Sequence, residues 1–321
     1  MVIAAARTMT RTAAMICAAA AVAGLVGCGG RSPTGSGGPS PTTLAGGGGT
    51  GTSSSFYLAL GDSLAAGVQP APPGAGPRPT RIKAGAIPTE GYANDVYEAE
   101  KTRLSGLMLQ DLGCPGETTM TMMAGGKCPY AAGSQLAQAV SFIRAHRIAF
   151  ITLDIGGDDI DGCVTTATII STCVTNGVDA IKANVPKILS ALRTAAGPSV
   201  QIVAMTYYDP YLADFLSGAD GPALAVASVE LTRQVNDTLI SIFRATNVGI
   251  GDVGTAFGTY TPFTRTTTYA GHTVPVAVAN ICDWTWMCAG APIGPNVHAN
   301  TSGYQKIASV LESSIATDVR R

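Results

Sequence analysis

Five short, nearly continuous hydrophobic runs punctuate the chain: Phe56 to Leu60, Leu107 to Leu112, Ile148 to Ile155, Val200 to Met205 and the glycine-diluted Val248 to Val253. The first ends at Gly61-Asp62-Ser63, the second at Gly113 and the third at Gly156-Gly157. Runs of this length bounded by glycine read as buried strands. Between them the apolar spacing becomes helical. Ile181, Val185, Ile188 and Leu192 recur at steps of three and four, with Pro186 expected to kink that helix. Leu224, Leu231, Val235 and Ile242 share one face of a second helix, and Tyr304, Ile307, Ala308, Leu311 and Ile315 mark a third. Strands that alternate with helices, and that are apolar on both faces, predict an α/β domain with a parallel sheet covered on both sides. Ligands of such sheets bind beyond the carboxyl ends of the strands, where Ser63, Gly113 and Gly156-Gly157 would lie.

The N-terminus follows another pattern. Met1 to Thr12 carries two arginines and no acid, and Thr12 to Gly27 is almost wholly apolar. That stretch falls short of the ~20 residues needed to span a bilayer core, so residues 1–27 read as a signal peptide. The run closes with Leu25-Val26-Gly27-Cys28, which is similar to the lipobox of bacterial lipoproteins, whose cysteine is acylated. Residues 28–54 then consist of the lipidation candidate Cys28 and a Gly/Ser/Pro/Thr-rich tether. A flexible chain of that length reaches ~25–30 Å on average. The expected address is the outer face of the cell membrane, with residues 55–321 as one folded domain.

Composition narrows the reading. The net charge is −1, and the first 54 residues hold only arginines among their charges, so the domain itself is mildly acidic. It lacks the basic footprint of a nucleic-acid binder. With 46% hydrophobic and 13% charged residues the chain is neither disordered nor polytopic. Of eight cysteines, six lie in local pairs in the domain: Cys114 and Cys128, Cys163 and Cys173, Cys282 and Cys288. In an exported chain these imply disulfides. Several connectivities are open, and sequential pairing, which closes the shortest loops, is the expected one. The rival reading, a zinc site, finds no C-x-x-C spacing and only three histidines.

Gly61-Asp62-Ser63-Leu64 at the end of the first strand offers a serine that would need a base to act as a nucleophile. It could equally be a helix-capping turn. The wider pattern resembles the GDSL or SGNH hydrolase family, whose blocks occur in order across the domain. They are Gly61-Asp62-Ser63-Leu64, the glycine Gly113, Gly156-Gly157-Asp158-Asp159 in place of Gly-x-Asn-Asp, and Asn296-Val297-His298-Ala299-Asn300 followed by an amphipathic helix. Cys282 to Cys288 is similar to the disulfide loop of exported bacterial esterases in that family. The resemblance implies a three-layer α/β/α sandwich with a mainly parallel, flavodoxin-like five-stranded sheet. It implies Ser63 as nucleophile, His298 as general base, and an oxyanion hole from the N–H groups of Ser63 and Gly113 with the side chain of residue 158. It implies no metal and no cofactor.

Two positions depart from the family. Asp158 stands where an Asn amide is usual; an ionised carboxylate would repel an oxyanion, whereas a protonated one could donate. The expectation is that burial keeps Asp158 neutral or that its main-chain N–H substitutes. The acid usually found three residues before the histidine is replaced by Pro295, so a Ser–His dyad is expected. The Pro295 carbonyl is the first choice to orient His298, with Asn296 and Asp283 as alternatives. His146 reads as a helix-end residue and His272 as a loop residue. Met120, Met122 and Met123 could line an acyl pocket or simply pack. Gly254 to Asn280, long and Thr-rich, could shape a substrate flap.

The reading is a monomeric serine esterase or lipase acting on acyl esters at the cell envelope. The alternatives are an acyltransferase to sugar or glycerol hydroxyls, or a catalytically lapsed, ligand-binding envelope lipoprotein.

Overall fold

The computed structural model describes residues 54–71, 90–165 and 168–315, all within one unit, Gly51–Arg321. The signal segment, Cys28 and the tether up to residue 53 lie outside the described residues.

Strands β1 (Ser55–Gly61), β2 (Leu107–Asp111), β3 (Ile148–Asp154), β4 (Gln201–Met205) and β5 (Gly249–Gly251) form one sheet in the order β2-β1-β3-β4-β5. Every neighbouring pair in it is parallel. This is the doubly wound, flavodoxin-like order, with the crevice beyond β1 and β3 as the place where ligands bind. The period of two along each strand sorts its side chains. Tyr57 and Ala59 pack on one face with Tyr92, Val96, Tyr304, Ile307 and Leu311. Leu58 and Leu60 pack on the other with Ile143, Ile181, Val185, Ile188, Leu239 and Phe243. The first group belongs to helices α1 (Tyr92–Glu100) and α8 (Thr301–Ser314), the second to α3 (Gln135–Ala145), α4 (Ser171–Ala196) and α5 (Gly221–Ala245). The result is the expected three-layer α/β/α sandwich, and it explains why the strands are apolar throughout.

Short α2 (Thr119–Ala124) follows β2, and α6 (Val253–Ala256) follows β5. Helix α4 runs through Pro186 as one element. Gly254 to Asn280 is not a featureless loop: β6 (Thr266–Tyr269) and β7 (His272–Pro275) form an antiparallel hairpin, and α7 (Val276–Trp284) starts directly after it. Three disulfides tie the rim above the sheet, Cys114–Cys128, Cys163–Cys173 and Cys282–Cys288, with the sequential pairing expected. Among the described residues no helix is long and apolar enough to cross a membrane.

Candidate active site

The turn after β1 is built around one carboxylate. Asp154, at the end of β3 and fully buried, accepts the main-chain N–H of Asp62 at 3.1 Å and of Ala65 at 3.3 Å on one oxygen. Its other oxygen accepts the Tyr92 hydroxyl. Gly61 makes this possible: at φ +145° a Cβ there would stand 2.2 Å from the Asp154 carbonyl oxygen and 2.4 Å from its carboxylate. Gln135 clamps the Gly61 peptide from both sides, accepting its N–H at 2.8 Å and donating to its C=O at 2.9 Å. Asp62 folds back to accept the Leu64 N–H at 2.9 Å, so the neighbours of Ser63 are fixed by carboxylates. The N–H of Ser63 itself finds no acceptor among the described residues.

His298 arrives from the other end of the chain on the segment before α8. A single oxygen, Asn296 Oδ1, accepts both the main-chain N–H of His298 at 3.0 Å and its Nδ1–H at 2.7 Å. An amide oxygen can only accept, so the proton sits on Nδ1 and the lone pair on Nε2 is available. This corrects the expectation for Pro295: the orienting group is the side chain of Asn296. An Asn two residues before the ring reaches both N–H groups at once, which leaves no bond for the Pro295 carbonyl. Asp283 contributes only its main-chain oxygen, to Asn300, at 2.8 Å.

The histidine segment is held against the Cys282–Cys288 loop. Trp286 N–H donates to His298 O at 3.1 Å, Asn296 N–H to Trp286 O at 3.2 Å, and Asn300 N–H to Trp284 O at 3.0 Å. The Trp286 indole N–H donates to Gln69 at 2.6 Å, Gln69 donates to the Ala299 carbonyl at 3.3 Å, and the Tyr208 hydroxyl to the Val297 carbonyl at 2.7 Å.

Ser63 and His298 line one cavity of about 230 Å³. Asp62, Gly116, Gly157, Asp158, Tyr207 and Tyr208 share its wall, and Leu231 and Val235 of α5 supply an apolar side. Asp158 thus lies where the motif placed it. Burial, aided by the charges of Asp62 and Asp161, pushes its carboxyl up to about 8, so it is protonated at neutral pH and can donate a hydrogen bond. Its neighbour Asp159 anchors the loop by accepting the N–H and hydroxyl of Thr119 at 2.8 and 2.7 Å. Burial lowers His298, which keeps the imidazole neutral and basic at pH 7.

Gly113 is a correction. Its N–H donates to Asp111 Oδ1 at 2.7 Å, and it is not on the cavity wall. It is a glycine because a Cβ would meet Ala66 N at 2.4 Å, at the back of the Ser63 turn. Gly116 lies on the wall instead, at φ +76°, and its N–H has no acceptor among the described residues. The sequence signal for it was a second glycine in the Cys114-Pro115-Gly116 turn, a residue type suited to that φ. The methionines are not on the wall either: Met122 is core and Met120 is exposed. No residue of 254–280 lines the cavity, so the hairpin gains no role as a flap from it. His146 caps α3, stacked on Phe142, and His272 is exposed in the hairpin. Among the described residues no cluster of three or more His, Cys, Asp or Glu is arranged to hold a metal.

A hydroxyl, an imidazole with a free Nε2 and hydrogen-bond donors around one cavity, at the carboxyl end of a doubly wound sheet, are the parts of a hydrolase. The chain belongs to the GDSL-like lipase/acylhydrolase family, whose model matches residues 59–306. An extracellular lipase from Streptomyces rimosus is similar in structure, with a TM-score of 0.52 at 20% identity over 82% of this chain and 100% of that one. A Parabacteroides merdae protein described as a GDSL-like lipase gives a TM-score of 0.50 at 14% identity, over 84% of this chain and 97% of its own. At these identities the likeness speaks for the fold. Among curated proteins none matches the chain.

Proposed function

We propose that this hydrolase is a serine esterase that works through an acyl-enzyme on Ser63, with His298 as base. The observation that carries the reading is that residues from the two ends of the domain meet on one cavity, the histidine with its Nε2 unencumbered. Ser63 Oγ attacks the ester carbonyl carbon as His298 Nε2 takes its proton. The N–H groups of Ser63 and Gly116 and the carboxyl O–H of Asp158 receive the oxyanion. The imidazolium returns the proton to the leaving oxygen and an alcohol departs. Water, deprotonated by the same Nε2, then releases the acid and restores Ser63. Since Asn296 is neutral, the pair is a Ser–His dyad with an amide orienter.

The protein acts, in this reading, from a lipid anchor on Cys28 at the outer face of the cell membrane; the three disulfides are consistent with export. One experiment addresses site and address together: fluorophosphonate labelling of expressing cells, followed by detergent phase partition. A labelled protein in the detergent phase is expected, moving to the aqueous phase with Cys28→Ala. Labelling should end with Ser63→Ala, and turnover should fall at least ~10³-fold with His298→Ala. Labelling that survives Ser63→Ala would dismiss the assignment.

A further inference from the structure

The acid that would balance a charged imidazole is absent at position 295, and the group on His298 Nδ1 is an uncharged amide. The site nonetheless holds two buried carboxyls beside the nucleophile turn. The carboxyls of Asp62 and Asp154 are both buried and belong to one turn, in which the Asp62 main-chain N–H donates to Asp154 Oδ2 at 3.1 Å. Two neighbouring carboxyls away from water resist double ionisation, and burial pushes both above the usual carboxylate range, which favours one proton and one charge for the pair. Neutral donors surround it. Asp154 receives the N–H of Asp62 and of Ala65 and the Tyr92 hydroxyl; Asp62 receives the Leu64 N–H at 2.9 Å and the Tyr207 hydroxyl at 2.7 Å. Among the described residues neither carboxyl is in a salt bridge. The charge therefore has solvation without a counter-ion.

We propose that the Asp62–Asp154 pair is the standing counter-charge to the His298 imidazolium, taking the part of the acid missing at 295. The inference rests on the reading of Ser63 as nucleophile and His298 as base. Asp62 adjoins Ser63 and lies on the same cavity wall as His298. When the Ser63 proton reaches Nε2, the positive charge forms opposite a negative one already fixed in place, without reorganisation of solvent. Asp154 is a positioning residue: it retains the shared proton on the side away from the cavity and holds the turn on both sides of Ser63. The other ionisable groups facing the site are Asp158 and Asp161 on its wall, Glu117 and Tyr92 behind the turn, Tyr207 and Tyr208 after β4, and Lys127, whose charge bears on Asp158 and Glu117. Asp62 and Asp161 are the acids whose fields raise His298 against the effect of burial.

The test is the imidazole titration of His298, followed by NMR beside His146 and His272, together with the kinetics of p-nitrophenyl acetate hydrolysis. Asp62→Asn should lower the His298 midpoint by roughly one pH unit. It should cut kcat about 10–100-fold while KM changes less than about threefold. Adding Asn296→Asp, which places a carboxylate directly on Nδ1, should restore both the midpoint and most of kcat. Asp154→Asn leaves the charge on Asp62, so the midpoint should hold or rise. An unchanged midpoint in Asp62→Asn, or no recovery with Asn296→Asp, overturns the proposal. Should Asp62→Asn fail to fold, a midpoint that falls in Asp154→Asn overturns it equally. Fluorophosphonate labelling of the wild-type protein keeps the two failures apart: labelling without a charge effect spares the esterase reading, and no labelling removes both.

Discussion

Asp158 is the residue on which the chemistry is most finely balanced. In the proposed mechanism its protonated form would donate to the oxyanion and its ionised form would repel it, and burial sets the changeover at about 8. His298, as the proposed base, sets the opposite limit, because a base must be neutral to act and burial lowers it from its ordinary 6.5. The rate should therefore rise with pH through a midpoint below 6.5, hold through neutrality, and fall near 8 as Asp158 loses its proton. Asp158→Asn supplies a donor that does not titrate. Its pH–rate profile should lose the alkaline limb and exceed wild type above pH 8, while neutral activity stays within about tenfold. A uniform loss of 100-fold or more from pH 6 to 9 would contradict the donor role. That Ser63, Asp158 and His298 share one cavity was legible because motif spacing marks side chains. Gly116 was missed and Asn296 stood only as an alternative to Pro295, because choosing Gly116 over Gly113, or an amide over a carbonyl, depends on where N–H groups point. Spacing carries no such information.

Among the elements, the loop from α7 to Trp286 does for His298 what β3 does for Ser63. Three main-chain hydrogen bonds join Trp284 and Trp286 to the segment 296–300, and Cys282–Cys288 closes the loop that carries both tryptophans. Removing this bridge with Cys282→Ala and Cys288→Ala should cost about 2 kcal/mol and lower Tm by roughly 4–8 °C. Because the loop also places the imidazole, kcat should drop by about tenfold well below the new Tm. A variant that melts earlier but keeps wild-type kcat would show that the bridge only stabilises. The strands of the main sheet were readable because burial on both faces makes them continuous apolar runs. The β6–β7 hairpin escaped notice for the converse reason: Thr266, Thr267 and Thr268 are exposed and Val274 is the buried apolar anchor, so no alternating pattern exists to be read.

At the scale of the whole molecule, buried carboxyls without cationic partners decide how stability varies with pH. Burial raises Asp111 and Asp209 to about 7 and Asp158 to about 8, and lifts Asp154 well above its ordinary value. None of the four is in a salt bridge among the described residues. From pH 4 to 8 the folded chain therefore keeps protons that the unfolded chain, with carboxyls near 3.8, has released. Stability must fall as pH rises through that window. His298 acts the other way, since below 6.5 the unfolded chain takes up a proton that the buried imidazole declines, but it is one group against four. Tm should be highest near pH 4–5 and lower by roughly 5 °C or more at pH 8.5. Asp209→Asn isolates one contribution. Asn can still accept the Tyr211 N–H and can donate to Ser228, whose hydroxyl retains the Ala225 carbonyl at 2.9 Å as its own acceptor. The variant's Tm should thus decline less steeply between pH 5 and 8.5. A wild-type Tm that is level or climbing over that range would mean the carboxyls are ionised in the folded chain. It would then also remove the protonated Asp158 that the proposed oxyanion site requires, so one melting series bears on both the fold and the proposed chemistry.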